Sequence, residues 1–253
     1  HKVIPMRRLW THWRFARAIA KDKPDVTFVP AHTLPFVFAG RAVVTVHDLG
    51  YLYFPKAHTL KQQLYLRLTT RYSALRAQVV LADSQATADD LYKHYHIRRD
   101  KIRVVYPGVD APEIHSVTLT RDKYHLHQPY IFFIGTLQPR KNIERIVQAY
   151  SMWRNGNPDK DIALVLAGKQ GWLFDPSWIE GVENVHLIGY IDEEDKGSLL
   201  RQATALIFPS LYEGFGFPVL ESMHVGTPVI ASNTSSLPEL VGDSGILVNP
   251  LSV

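Results

Sequence analysis

With 253 residues, 46% of them hydrophobic, the chain can bury one large core or two modest ones. The absence of cysteine excludes a disulfide framework, thiolate metal ligation and a cysteine nucleophile, and the net charge of +4 suits phosphate ligands, nucleic acid or an anionic membrane surface without choosing among them. No apolar run approaches the roughly 20 residues of a membrane span and no charged-then-apolar leader opens the chain, so a soluble cytoplasmic protein is expected.

Short β-branched runs alternate with helical segments, the pattern of parallel α/β sheets. Residues Met6 to Lys21 read as a helix with Trp10, Trp13, Ala16 and Ala20 on one face and Arg7, Arg8, Arg14 and Arg17 around it. Such a helix either packs its tryptophans on the sheet or lies on a membrane surface. Asp25 to Pro30 and Arg41 to Val46 read as buried strands, the second ending at His47-Asp48. The carboxyl end of a parallel strand is where such sheets bind ligands, which makes His47 a site candidate; a core histidine satisfied by Asp48 fits equally. Thr59 to Arg76 predicts an amphipathic helix with Leu60, Leu64, Leu68, Tyr72 and Leu75 inward and Lys61, Arg67, Arg71 and Arg76 toward solvent.

Gln78 to Asp83 is the next strand, and Ser84 caps a helix running to about Tyr95. A strand over Ile102 to Tyr106 breaks at Pro107-Gly-Val-Asp110, and Ala111 to Gln128, with its prolines and histidines, reads as a linker. The pairs His94-x-His96 and His125-x-His127 suggest metal, but with no carboxylate or third histidine read at a ligand spacing nearby they are expected at the surface and no metal is expected. The charge is likewise unaccompanied by the aromatic-basic pattern of a nucleic-acid module, so nucleic acid is not an expected partner.

A second alternating series starts with Tyr130-Ile-Phe-Phe-Ile-Gly135, then Thr136-Leu-Gln-Pro-Arg140-Lys141-Asn142, then a helix from Ile143 to Trp153. Strand, basic turn and helix make an anion site in which Arg140 or Lys141 can reach a diphosphate. Ile162 to Ala167 and Val185 to Ile188 are further strands, the second followed by Gly189-Tyr190.

After a strand at Ala203 to Phe208 comes Ser210-Leu-Tyr-Glu213-Gly-Phe-Gly-Phe-Pro218-Val-Leu-Glu221, with a helix starting near Pro218. Gly214 and Gly216 let the backbone turn tightly, and the helix start offers N–H groups and a positive dipole end to a phosphate, so Gly214, Phe215, Gly216 and Phe217 are candidate binding residues. Glu213 and Glu221, eight positions apart, bracket this site. Carboxylates repel phosphate, so they more readily face hydroxyl groups. A diphosphate beside a polyhydroxyl group describes a nucleotide sugar. On spacing alone the residues also fit a common glycine turn with Glu221 as a solvated first-turn acid. Thr227 to Ser232, Ser235 to Leu240 and Gly245 to Val248 complete the series as strand, short helix and strand.

Glu213-Gly-Phe-Gly-Phe-Pro-x-x-Glu221, followed by Gly226-Thr-Pro-Val-Ile-Ala-Ser232 and Leu237-Pro-Glu-Leu240, resembles the E-x7-E signature of family 4 retaining glycosyltransferases. The resemblance runs from about Asp25 to Pro250 and implies two Rossmann-like parallel-sheet domains facing a cleft, the GT-B arrangement. The implied division is an N-terminal acceptor-side domain over 1–112, a linker over 113–128 and a donor-binding domain over 129–253. It implies hexosyl transfer, mannose or glucose, from a UDP- or GDP-hexose to an acceptor hydroxyl with retention, without a metal or other cofactor. Glu213 would meet the sugar, Glu221 the ribose, Lys141 the diphosphate, and His47 the sugar from the opposite domain. Gly135 and Thr136 would line the donor site, Gly189 and Tyr190 the base. Thr136 stands where the family commonly has a phosphate-binding arginine, for which Arg140 is the substitute, and no asparagine separates Pro107 from Gly108. The family's opening strand and closing helices are absent, so a fragment or shortened member is expected, its incomplete first domain favouring self-association. Relatives with Gly-Thr-Leu-x-Pro-Arg-Lys-Asn often build surface polysaccharides, which implies a glycan or lipid-linked acceptor and peripheral contact at the inner face of the membrane. A sugar-nucleotide epimerase, or a nucleotide-sugar-binding protein without turnover, fits the same motifs.

Overall fold

A computed structural model describes residues 10–171 and 173–253. The chain divides between Pro107 and Gly108 into two compact units, each a parallel sheet flanked by helices.

In the first unit, β1 (Val26–Val29), β2 (Arg41–Val46), β3 (Val79–Ala82) and β4 (Ile102–Val104) lie side by side in chain order, all parallel. Strands covered on both faces need continuous apolar runs, and Val44, Val46, Val80 and Ala82 are completely buried with Leu34, Leu49 and Leu91. Helix α1 (Ala16–Asp22) precedes β1; α2 (Gly50–Tyr53) and α3 (Leu60–Arg76) make the crossover from β2 to β3, and α4 (Gln85–Tyr95) that from β3 to β4. Ser84 caps α4 as expected, its hydroxyl accepting from the Thr87 amide at 3.0 Å.

Two expectations for this unit are corrected. On α3 the leucine stripe faces solvent: Leu60, Leu64, Leu68 and Leu75 are 50–82% exposed, whereas Thr69, Thr70, Ser73 and Ala74 are buried. The helix packs on β2 through these small residues. The polarity of two of them is absorbed locally: Thr69 donates to the Tyr65 carbonyl at 2.8 Å, and Ser73 donates to the Thr69 carbonyl while accepting from the Leu34 amide at 2.8 Å. Near the N-terminus, residues 6–9 of the expected helix, with Arg7 and Arg8, lie outside the described residues. A π-helical turn, Thr11–Phe15, leads into α1, and the inward residues are Phe15 of the turn and Ile19 of the helix; Trp13 is 68% exposed, and Trp10 stacks on Phe15 at 5.0 Å between centroids.

In the second unit β5 (Tyr130–Ile134), β6 (Ala163–Ala167), β7 (Val185–Gly189), β8 (Ala205–Phe208), β9 (Val229–Ser232) and β10 (Ile246–Val248) form a parallel sheet in the order β10-β9-β8-β5-β6-β7. The chain winds outward from β5 to β7, returns to place β8 on the other side of β5, and winds outward again. The loops leaving the carboxyl ends of β5 and β8 therefore diverge, opening a crevice at the point where the winding reverses, the usual ligand position in doubly wound sheets. Phe133 and Phe208, on those two strands, are fully buried and stack at 5.9 Å, fixing the crevice floor.

Residues 113–128, read as a linker, carry α5 (Val117–Lys123), which packs on α7 (Glu193–Gln202). Lys123 bridges Asp192 at 2.7 Å and Asp195 at 2.6 Å, and the His115 amide donates to Ser198 at 3.0 Å, so this segment is built into the second unit. The remaining helices are α6 (Ile143–Gly156), α8 (Phe217–His224) and α9 (Leu237–Val241).

Candidate active site

The loop after β5 passes through Gly135 and Thr136 into a single helical turn, Pro139–Lys141, that ends on Asn142 in a left-handed conformation (φ 64°). Asn142 is 4% exposed and its amide donates to the carbonyls of Pro209 at 3.1 Å and Pro250 at 2.7 Å, while the Leu211 amide donates to the Arg140 carbonyl at 2.8 Å. The loops after β5 and β8 are thus fastened to one another by one backbone hydrogen bond and by the Asn142 side chain.

That fastening brings Lys141 to Glu213. Nζ donates to Oε1 at 2.5 Å with the side chains 10% and 8% exposed, and Arg140 Nη1 stands 3.6 Å from Oε2. The ammonium also lies 4.7 Å from the centre of the Phe208 ring and lies along Gly135, where a Cβ would stand 3.9 Å from Nζ. Two cations against one carboxylate leave the cluster net positive at the mouth of the crevice. Thr136 takes no part in it: the residue is exposed, with its methyl against Gly171.

The loop from Ser210 to Gly216 is shaped by serines 20 or more positions further on. Ser235 accepts from the Glu213 amide at 2.8 Å and donates back to the Glu213 carbonyl; Ser236 donates to the carbonyls of Glu213 (3.1 Å) and Phe215; and Ser232 donates to the Ser210 carbonyl at 2.6 Å. At Gly216 the backbone takes φ 145° and enters α8, with Pro218 in the first turn; a Cβ there would stand 2.8 Å from Leu237. Phe215 is buried and Phe217 half exposed, their rings edge to face at 5.2 Å. The start of α8, where N–H groups and the dipole's positive end gather, points from this loop.

One turn into α8, Glu221 is no solvated acid: its side chain is 13% exposed and Oε1 accepts from Lys196 of α7 at 2.8 Å. Lys196 also pairs with Glu193. Glu221, Lys196 and Phe217 line a cavity of about 620 Å³. At the other end of the crevice β7 ends in Gly189 (φ 73°), whose carbonyl accepts from the Gly168 amide at 2.6 Å. Gly168 itself touches the loop after β5, since a Cβ on it would lie 2.0 Å from the Gly135 carbonyl oxygen. Tyr190 is 64% exposed with Lys169 Nζ 4.9 Å from its ring centre. The chain's Asp-x-Asp, Asp159 and Asp161, is exposed in the turn entering β6, at the amino ends of the strands and away from these loops.

His47 is placed by the first unit. It follows β2, and its partner is Asp83 at the end of β3, with Nδ1 2.7 Å from Oδ2; Nε2 lies 3.2 Å from the Pro30 carbonyl. The expected Asp48 partner instead accepts from the Gly50 amide at 2.7 Å. Burial opposes the charged ring, but the Asp83 hydrogen bond and charge, the Pro30 carbonyl and Asp48 outweigh it and hold the His47 pKa above its ordinary 6.5.

The structure therefore joins Lys141, Arg140, Glu213 and Gly135 in one cluster, places Glu221 and Phe217 at the next turn of the same loop and helix, and sets Gly189 and Tyr190 at the far edge. Sequence reasoning missed Asp83, Lys196, Ser235 and Ser236. Each is a partner supplied by a different element, and only Ser235-Ser236, adjacent to the recognised motif, left a local trace.

Comparison with known proteins places these features in context. The model of the glycosyl transferases group 1 family matches residues 119–252, and that of glycosyltransferase family 4 matches residues 3–112. Over 99% of its length the chain is 33% identical to O-antigen chain mannosyltransferase B of Escherichia coli, covering 68% of that protein. It is 25% identical to O-antigen chain mannosyltransferase RfbU of Salmonella typhimurium, covering 66% of it, and 28% identical to mannosyltransferase WbdA of Escherichia coli, covering 32%. Among solved structures it superposes on sucrose-phosphate synthase of Thermosynechococcus elongatus with a TM-score of 0.74 at 22% identity, over 99% of this chain and 68% of that one. Anabaena HepE in complex with UDP-glucose gives 0.67 at 22% identity, over 84% of this chain and 59% of that one. The fold is the two-domain parallel-sheet class that the motifs implied.

Proposed function

The chain belongs to the glycosyl transferases group 1 family, and from that premise we propose that it transfers a hexose, mannose or glucose, from a nucleoside diphosphate sugar to a glycan or lipid-linked acceptor hydroxyl with retention, in surface polysaccharide or glycolipid synthesis. The observation that carries this reading is the buried Lys141–Glu213 pair at the reversal of the sheet winding. Loss of the nucleoside diphosphate leaves an oxocarbenium-like sugar and an anionic leaving group, so catalysis rests on stabilising the diphosphate and orienting the ring. Lys141, Arg140 and the start of α8 hold the diphosphate, which supplies the charge stabilisation without a metal ion. Glu213, held on its backbone by Ser235 and Ser236, takes the sugar hydroxyls, and Glu221 takes the ribose. Gly189 and Tyr190 form the edge for the base. His47 meets the transferred sugar, a role carried over from the family motif.

Peripheral contact with an anionic lipid surface belongs to the same reading. Supporting it, α3 turns a leucine stripe outward among Lys61, Arg67 and Arg71, all exposed.

The test combines calorimetric titration of UDP- and GDP-hexoses with product analysis by NMR, which reads the anomeric configuration. Glu213→Gln is expected to abolish transfer, by at least 100-fold, while sparing nucleoside diphosphate affinity. Unimpaired transfer in that variant removes Glu213 from the chemistry. Donor binding without turnover on any acceptor would make the chain a binding protein, and epimerised free donor would make it an epimerase.

A further inference from the structure

Lys196 occupies a position that the donor-binding motif does not account for. It lies in the first turn and a half of α7, after the acidic run Glu193-Glu194-Asp195 that the positive end of that helix favours. Its side chain is 14% exposed although it ends in an ammonium group, and it turns across to α8, where Nζ reaches Glu221 Oε1 at 2.8 Å. Burial works against the charged amine, yet the hydrogen bonds and charges of Glu193 and Glu221 more than offset it and raise the Lys196 pKa above the ordinary value. The amine is therefore a fixed cation at neutral pH.

The cavity beside it is lined by five acids, Asp110, Glu113, Glu193, Glu194 and Glu221. A phosphate entering it would be repelled from several sides, while a neutral group rich in hydroxyls would find acceptors. Glu221 Oε1 is engaged by Lys196, and Oε2 has no hydrogen-bond partner among the described residues. A glutamate on a helix has three side-chain torsions; anchoring one oxygen to a cation on the neighbouring helix fixes the direction in which the other is presented.

We propose that Lys196 is a positioning residue that aims Glu221 at the ribose diol of the donor nucleotide, and so sets how strongly the site prefers ribonucleotides over nucleotides lacking those hydroxyls. The inference rests on the assignment of Glu221 to the ribose made above. It adds a residue on a second helix, and places the ribose of the donor at the acid-lined cavity, apart from the cationic Lys141 cluster.

The experiment measures the affinity of UDP, GDP and their 2′,3′-dideoxy analogues by calorimetry for the unmodified protein, Lys196→Met, Lys196→Arg and Glu221→Gln, with the thermal midpoint of each recorded alongside. Lys196→Met is expected to weaken ribonucleotide binding about tenfold, the worth of roughly one charge-assisted hydrogen bond, and to leave the dideoxy analogue within about twofold. The ribo-to-dideoxy ratio then falls to that of Glu221→Gln, and Lys196→Arg restores most of it. A Lys196→Met protein that keeps the original ratio while Glu221→Gln loses it overturns the role of Lys196 and leaves the ribose assignment standing. Equal loss for both nucleotides in Lys196→Met also overturns it, since packing alone would act in that way. Retention of the ratio by Glu221→Gln removes the ribose assignment itself.

Discussion

Lys141 and Glu213 are held 2.5 Å apart with both side chains nearly withdrawn from solvent, so the cost of losing either partner exceeds the value of the pair. Lys141→Ala leaves a buried carboxylate facing only the more distant Arg140 and is expected to cost about 3 kcal/mol in denaturant unfolding. In calorimetry it should also weaken nucleoside diphosphate binding. His47 and Asp83 behave differently because the histidine is half exposed. The His47 pKa in the folded protein is raised, so the stability this pair contributes is fully present below about pH 6.5, the unfolded value, and is lost as pH rises through the folded one. Asp83→Asn should move the His47 ring titration, followed by NMR, back toward 6.5. It should also flatten the change in unfolding midpoint between pH 6 and pH 8. At this scale Lys141 and Glu213 could be singled out because each stands in a contiguous motif of its own, 72 positions apart. Asp83 and Lys196 were not, because a side-chain partner 36 or 25 positions away leaves no periodic or local mark.

Among the elements, α3 is the instructive failure. A stripe of Leu60, Leu64, Leu68 and Leu75 has helical spacing, and spacing locates a face without saying whether protein or solvent lies beyond it. The competing face, Thr69, Thr70, Ser73 and Ala74, is small enough to let the helix approach β2, and the Thr69 and Ser73 hydroxyls donate to carbonyls of their own helix, so it won the core. The outward leucines carry a consequence: Leu64→Glu together with Leu68→Glu should reduce co-sedimentation with phosphatidylglycerol vesicles several-fold, by removing apolar contact and adding repulsion. Circular dichroism should stay unchanged, since neither residue touches the core. Ser84, by contrast, announced its helix correctly because an N-cap hydroxyl acts on its own next three residues and needs no tertiary partner.

For the molecule as a whole, the alternation of strands and helices sufficed to read parallel α/β sheets, since each βαβ step is a local decision about period, while the division into two units came from the family resemblance. Strand order was not legible, and it is what sets the loops after β5 and β8 against each other. Each unit has its own buried cluster, the second centred on Tyr130, Phe132, Phe133 and Phe208, and the diphosphate, ribose and base positions proposed here all lie within that unit. Residues 108–253 produced alone should accordingly fold cooperatively and bind a nucleoside diphosphate within about tenfold of the full chain, while showing no transfer. Calorimetry and a donor-consumption assay on the same preparation check both halves.

Gly168 sits where two segments of backbone meet, its amide on the Gly189 carbonyl and its missing side chain making room for the Gly135 carbonyl. The interval between the loop after β5 and the end of β7, the ends proposed above for pyrophosphate and nucleobase, is thereby calibrated by a single hydrogen atom. A methyl group in its place would act as a wedge, lengthening that interval, so under the proposed reading the span open to a donor is set at a residue that no ligand need ever touch.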